Sequence, residues 1–186
     1  HYAVSVDRSG SALIYKDGVY VSSVDCSGVT GTLANAVDLK IGYGGSASDY
    51  LIGDIDDVRI YDAALTAEQV SDLYESGANK HIYYRSSTSG GTYELLNYHD
   101  SNSIRSSVRM DEASGTTASD SVSSYDGTFL GAPVWTKGSF GNALKFDGTD
   151  DRLTFGGWNP QEHTVSMWIN TSASVEQGIE SQYDNH

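Results

Sequence analysis

The chain has 186 residues, with 25 Asp and Glu against 11 Lys and Arg, a formal net charge of −14, and 38% hydrophobic and 11% aromatic residues. That apolar content suits one domain or two part-domains with a real core and sets aside a disordered acidic tail. Sparse, scattered cations argue against nucleic acid or an anionic membrane as partner, and no apolar run approaches the roughly 20 residues that a bilayer span needs.

Apolar and polar residues alternate in short runs bounded by Gly, Asp, Asn and Ser, the pattern of half-buried antiparallel strands. Residues 2–6 read as a strand that leads, through Asp7-Arg8-Ser9-Gly10, into a hairpin of Ala12-Leu13-Ile14-Tyr15-Lys16 and Val19-Tyr20-Val21. The joining Asp17-Gly18 tolerates positive φ at both turn positions. Further strands are expected over 37–42 and 50–61. A short helix follows: Thr66 caps it, Gln69 completes a capping box, Val70, Leu73 and Tyr74 share one face, and Gly77 supplies the stop. Residues 78–107 differ in character, with Ser86-Ser87-Thr88-Ser89-Gly90-Gly91 between two tyrosine-rich stretches; they read as a linker with a small hairpin that could cover a sheet edge. Strands resume over 127–130, 143–146, 152–155 and 163–170. Regular spacing of this kind favours an all-β sandwich.

Two sets of motifs carry a family resemblance. Tyr2-Ala3-Val4-Ser5-Val6-Asp7, Leu13-Ile14-Tyr15-Lys16-Asp17-Gly18-Val19, Leu39-Lys40-Ile41-Gly42 and Gly53-Asp54-Ile55-Asp56-Asp57-Val58-Arg59-Ile60-Tyr61-Asp62-Ala63-Ala64-Leu65-Thr66 resemble the C-terminal half of a laminin-G-like jelly roll of the concanavalin A-like lectin/glucanase superfamily. Asp111-Glu112-Ala113-Ser114-Gly115, Asp126-Gly127-Thr128, Phe140-Gly141-Asn142-Ala143-Leu144-Lys145-Phe146-Asp147-Gly148 and Thr164-Val165-Ser166-Met167-Trp168-Ile169 resemble its N-terminal half. The order departs from the family's: residues 1–77 correspond to the C-terminal half, 78–107 to a linker and 108–186 to the N-terminal half. Either the chain spans the end of one repeat and the start of the next, or the halves fold together as a permuted sandwich. Strands missing between the halves would leave open edges, to be covered by the linker or by a neighbouring copy of the chain.

The resemblance also implies a structural calcium ion, with Asp57 and the Gly148 carbonyl as first ligand candidates and Asp147 and Asp111 next. Hard oxygen donors are what calcium takes; the same residues would otherwise be solvated turn carboxylates. Sugar binding would use aromatic faces beside polar groups. Trp168 points away from the stripe of Val165, Met167 and Ile169, which makes it a stacking platform or a side chain covered by a loop. Trp135 and Trp158 lie in Gly-flanked segments read as loops, as plugs or ligand contacts. Asp54 and Asp56 have alternate spacing but no glutamate partner, so the carboxylate cleft of a glycosidase is not assembled. His1, His81, His99, His163 and His186 are dispersed and read as exposed surface residues. Cys26 stands alone and reads as a buried or incidental thiol.

These features point to a non-catalytic, extracellular or cell-surface module for adhesion that binds a glycan or a surface protein. The alternative is a structural subunit of an extracellular filament, built by strand-edge complementation between copies. The opening His1, without a charged and apolar leader, reads as the start of a processed or excised piece.

Overall fold

The alternation in residues 1–25 becomes three antiparallel strands, β1 (Tyr2–Asp7), β2 (Ser11–Lys16) and β3 (Val19–Asp25). Asp17 and Gly18 between the last two have φ of 51° and 76°, the left-handed pair that matches the twist of a tight hairpin. The remaining elements of this computed structural model are β4 (Leu39–Ile41), β5 (Ile52–Tyr61), α1 (Ala67–Asn79), β6 (Tyr84–Ser86), β7 (Tyr93–Leu95), β8 (Ile104–Val108), β9 (Thr117–Ala118), β10 (Gly127–Leu130), β11 (Val134–Lys137), β12 (Asn142–Asp147), β13 (Arg152–Phe155), β14 (Glu162–Asn170) and β15 (Glu180–Ser181). The structure describes residues 1–29, 38–46, 49–79, 84–86, 93–95, 104–156, 162–173 and 178–181.

The strands form a large sheet in the order β11-β12-β5-β14-β1-β2-β3 and a smaller one in the order β15-β4-β13-β10-β9. On one side of β5, β12 pairs with residues 52–55 and β8 with residues 58–61; on the other side lies β14, which in turn pairs with β1. Strands from the two ends of the chain thus share one hydrogen-bonded ladder. Between the sheets, Ile55, Val58, Ile60, Leu144, Phe146, Val165 and Met167 meet Leu39, Ile41, Leu153 and Phe155, all essentially fully buried. Each such side chain contributes about 1.5–3 kcal/mol relative to exposure.

A bulge at Asp57, with φ of 50°, decides which residues of β5 face this core. The ladder to β14 slips between Ser166 and Trp168, so that Ile55, Val58 and Ile60 all point inward and Asp56 and Tyr61 outward. Without the extra residue, strict alternation would turn Val58 and Ile60 to the other face.

The outer face of the large sheet is covered in part by α1. Leu65, Val70 and Leu73 pack on Ala3, Tyr15 and Tyr61. Thr66 Oγ1 accepts a 3.3 Å hydrogen bond from the Gln69 backbone N–H, and the Gln69 side chain accepts one of 2.8 Å from the Thr66 N–H, the reciprocal capping box. The Thr164 hydroxyl accepts from the Leu65 N–H at 2.9 Å and donates to the Ala63 carbonyl at 2.8 Å, fixing the entry to the helix.

Several expectations need correction. The helix does not stop at Gly77 but runs to Asn79; a Cβ at Gly77 would lie 2.6 Å from Trp168 Cζ2, so glycine is there to admit the indole. Trp135 belongs to β11 rather than to a loop, and β8 draws the last residues of segment 78–107 into the large sheet. Within that segment β6 and β7 pair as a separate two-stranded ladder. His1 and His163 are buried, at 7% and 9% exposure, because the covering aromatic layer and the neighbouring strands enclose them. His81, His99, His186 and Trp158 lie outside the described residues. Cys26 is half-buried, in a turn.

Candidate functional site

Register places four polar or aromatic groups side by side on the outer face of the large sheet. Asp56 of β5 is opposite Trp168 of β14, and Asp54 is opposite Asn170. Cross-strand partners share a face, so two carboxylates, an amide and an indole gather there while Ile55 and Ile169 point to the core. Asn170 Nδ2 donates to Asp54 Oδ2 at 3.3 Å. The turn that joins β11 to β12 folds over this row: the Gly138 N–H donates to the Gly141 carbonyl at 3.0 Å, and the Phe140 N–H donates to Asp56 Oδ2 at 3.0 Å. The result is a cavity of about 360 Å³ lined by Asp54, Asp56, Lys137, Ser139, Trp168 and Asn170 among others.

Trp168 forms one wall and is held from three sides. Its ring stacks on Tyr74 of α1 at 5.7 Å and meets Phe140 edge-on at 5.1 Å, with His1 at 5.3 Å. The helix therefore supplies a rigid backing for the indole, and Gly77 allows the two to approach. Beyond Phe140 lies a second hollow of about 180 Å³, lined by Asp57, Arg59, Gly77, Arg109, Asp111 and Phe140.

Electrostatics single out Asp56. Burial pushes its carboxyl above the ordinary carboxylate range; the neighbouring charges of Asp57 and Asp111 push the same way, against backbone N–H groups of Phe140 and Ser139. Asp57 is differently placed, since the Arg59 guanidinium grips both of its oxygens, Nη2 to Oδ2 at 2.8 Å and Nε to Oδ1 at 3.2 Å.

The four expected calcium ligands fall into two groups, Asp57 with Asp111 and Asp147 with Gly148. Asp147 pairs with Ile52, five residues along β5 from Asp57 and about 16 Å away at the usual strand rise, and Gly148 lies one residue further on. Asp57 instead shares the smaller hollow with Asp111. Asp147 joins Asp150 and Asp151, whose oxygens lie within 4.8 Å of one another. Both oxygens of Asp151 already accept backbone N–H groups, Oδ1 from Ala132 at 2.7 Å and Oδ2 from Asp147 at 3.0 Å, and Asp147 Oδ1 accepts from Thr149 at 2.8 Å. Trp135 is half-buried, its ring beside Phe129 at 5.5 Å and its Nε1 donating to the Gly115 carbonyl at 3.0 Å. Lys137, Ser139 and Asn170 were not singled out from sequence. The paired glycines of Gly138-Ser139-Phe140-Gly141 are the signal that a tight turn closes over β5.

A family comparison completes this geometry. Residues 1–71, which span β1 to β5 and the start of α1, match a laminin G model of the concanavalin A-like lectin/glucanases superfamily. No curated protein and no solved structure matches the chain. With two antiparallel sheets and one short helix, the chain is a concanavalin A-like β-sandwich. Laminin-G-like domains are in general extracellular, non-catalytic modules that bind glycans or proteins. Among the described residues, no helix is long and apolar enough to cross a membrane.

Proposed function

We propose that the chain is a non-catalytic, extracellular adhesion module that binds a glycan through the cavity beside Trp168. The observation that carries this is the convergence of Asp54, Asn170, Lys137 and Ser139 at one edge of a rigidly backed indole. Sugar hydroxyls need donors and acceptors around an apolar surface, and that mixture is found here. The two carboxylates favour binding over proton transfer: Asp54 is engaged by Asn170, and Asp56 by the turn above it. The two ends of the chain act as one permuted sandwich, in keeping with β14 lying between β1 and β5. A structural calcium ion, implied by the family, steadies the loops around the cavity.

The test is a glycan panel probed with the full chain and with Asp54→Ala and Asn170→Ala, both on the solvent side of the cavity. The expected outcome is binding by the parent chain that both substitutions weaken about tenfold or more, with unchanged circular dichroism; loss of a charged hydrogen bond costs about 1.5–3 kcal/mol. Binding that survives both substitutions would refute the site.

A second reading, the assembly subunit, draws on β3. Every residue of this edge strand is exposed, including Val19, Tyr20, Val21 and Val24. The slip in its pairing with β2 between Ile14 and Tyr15 counts against it, since bulges blunt sheet edges. Light scattering across a concentration series separates the two: a constant monomer mass supports the binding module, and a climbing mass the subunit.

A further inference from the structure

The two sheets are unequal, eight strands against five, and the smaller one does not cover the larger. Two contacts fix its position. Phe129 of β10 lies beside Trp135 of β11 at 5.5 Å, and a Cβ at Gly42, just past β4, would lie 2.8 Å from Phe146 of β12. The smaller sheet therefore starts over β11 and β12, and β15, next to β4, is its last strand toward β14 and β1 among the described residues. The pairing register fills the face beyond it with apolar side chains. Tyr2 and Val4 pair with Met167 and Val165, which point into the core, and cross-strand partners share a face. The same face continues through Ile14 opposite Val4, Ala12 opposite Val6, and Val24 opposite Ala12. Among the described residues neither buried apolar cluster takes in any of these side chains; Val4, Val6, Ala12 and Ile14 are half-buried and Val24 is 59% exposed. An apolar face that continues the inter-sheet core into the open marks an interaction surface.

Beside this floor runs an unpaired edge. The Gly42 N–H donates to the Ile179 carbonyl at 2.8 Å, so the alternation of an antiparallel ladder turns the N–H and C=O of Glu180 away from β4. An apolar floor next to a strand edge suits an extended chain that hydrogen-bonds to the edge and lays alternate side chains on the floor. We infer that the step between β15 and β1 takes an extended segment of a partner protein as an added strand of the smaller sheet, with apolar residues at every second position pressed on Val4, Val6 and Ile14. A second copy is the poorer occupant, because two chains of net charge −14 repel; the same charge favours a segment whose intervening residues are basic. The step lies on the opposite face of the large sheet from the cavity beside Trp168, so it stands independently of glycan binding there.

The experiment follows the fluorescence anisotropy of short labelled peptides titrated with the full chain. One probe alternates Val and Lys; a second holds the same residues as a Val block and a Lys block; a third alternates Val and Glu. The alternating Val–Lys peptide should bind about tenfold or more tighter than either of the others. Ile14→Lys puts a charge on the floor and should weaken that peptide about tenfold or more, with little change for the block peptide and an unchanged circular dichroism spectrum. Where Ile14→Lys does not fold, Val4→Thr, which keeps the side-chain shape, decides by a loss of about threefold. Equal binding of the two Val–Lys peptides, or binding that neither substitution weakens, would overturn the inference. So would a chain that light scattering finds dimeric until Ile14→Lys makes it monomeric, since the floor would then belong to a second copy.

Discussion

Gly77 sits in the last turn of α1, where alanine is ordinarily the better residue by about 1 kcal/mol. Here the helix presses on Trp168: an added Cβ would be 2.6 Å from Cζ2 and 3.0 Å from both Cε2 and Nε1. The first distance is about 1 Å inside ordinary carbon contact. The indole cannot swing aside, because Tyr74, Phe140 and His1 surround it at centroid separations of 5.7, 5.1 and 5.3 Å. Overpacking of this kind costs about 1–3 kcal/mol; set against the propensity gain, Gly77→Ala should destabilise the chain by about 1–2 kcal/mol. Urea unfolding followed by far-ultraviolet circular dichroism measures this directly. In a Trp168→Leu background the obstruction is gone, and the same substitution should change sign and stabilise by about 1 kcal/mol. A stabilising Gly77→Ala in the presence of Trp168 would refute the argument that this glycine exists to seat the indole.

Two more outcomes follow from the same geometry. Thr66→Ala removes the oxygen that accepts the Gln69 N–H and should cost about 1 kcal/mol, read as a lower urea midpoint with an unchanged slope. Asp56 has a pKa raised by burial, so the folded chain holds its proton more tightly than the unfolded chain does. Its contribution is complete below the ordinary carboxylate value near 3.8 and is lost as pH rises through the folded-state value. In metal-stripped protein Asp56→Asn should therefore be more stable than the parent at pH 7 and equal to it near pH 3; an equal gain at both would show that charge is not the cause.

Residues 2–25 show how much of this protein local chemistry determined. The alternation and the Asp17-Gly18 turn act between neighbours in sequence, so β1, β2, β3 and their register follow from side chains a few positions apart. The capping box at Thr66 and Gln69 is equally local and marks the start of α1 without any knowledge of the sheet. The end of α1 was not legible, because Gly77 looks like a stop and is in fact a notch for a side chain 91 positions away. Short strands such as β9, β11 and β15 carry too few residues for a period to register, and only pairing with β10, β12 and β4 makes them strands.

The site divides along the same line. Trp168 was visible as a residue facing away from the apolar stripe, and the alternate spacing of Asp54 and Asp56 put both on one face. Which acidic residue is left wanting a partner was decided by tertiary structure. Asp56 and Asp57 are adjacent and chemically identical; a bulge gives one to Arg59 and turns the other under residues 138–141, which lie more than 80 positions away in sequence. Burial and charge pairing depend on what the rest of the chain brings near, and that is settled only when β12 and β14 dock on either side of β5.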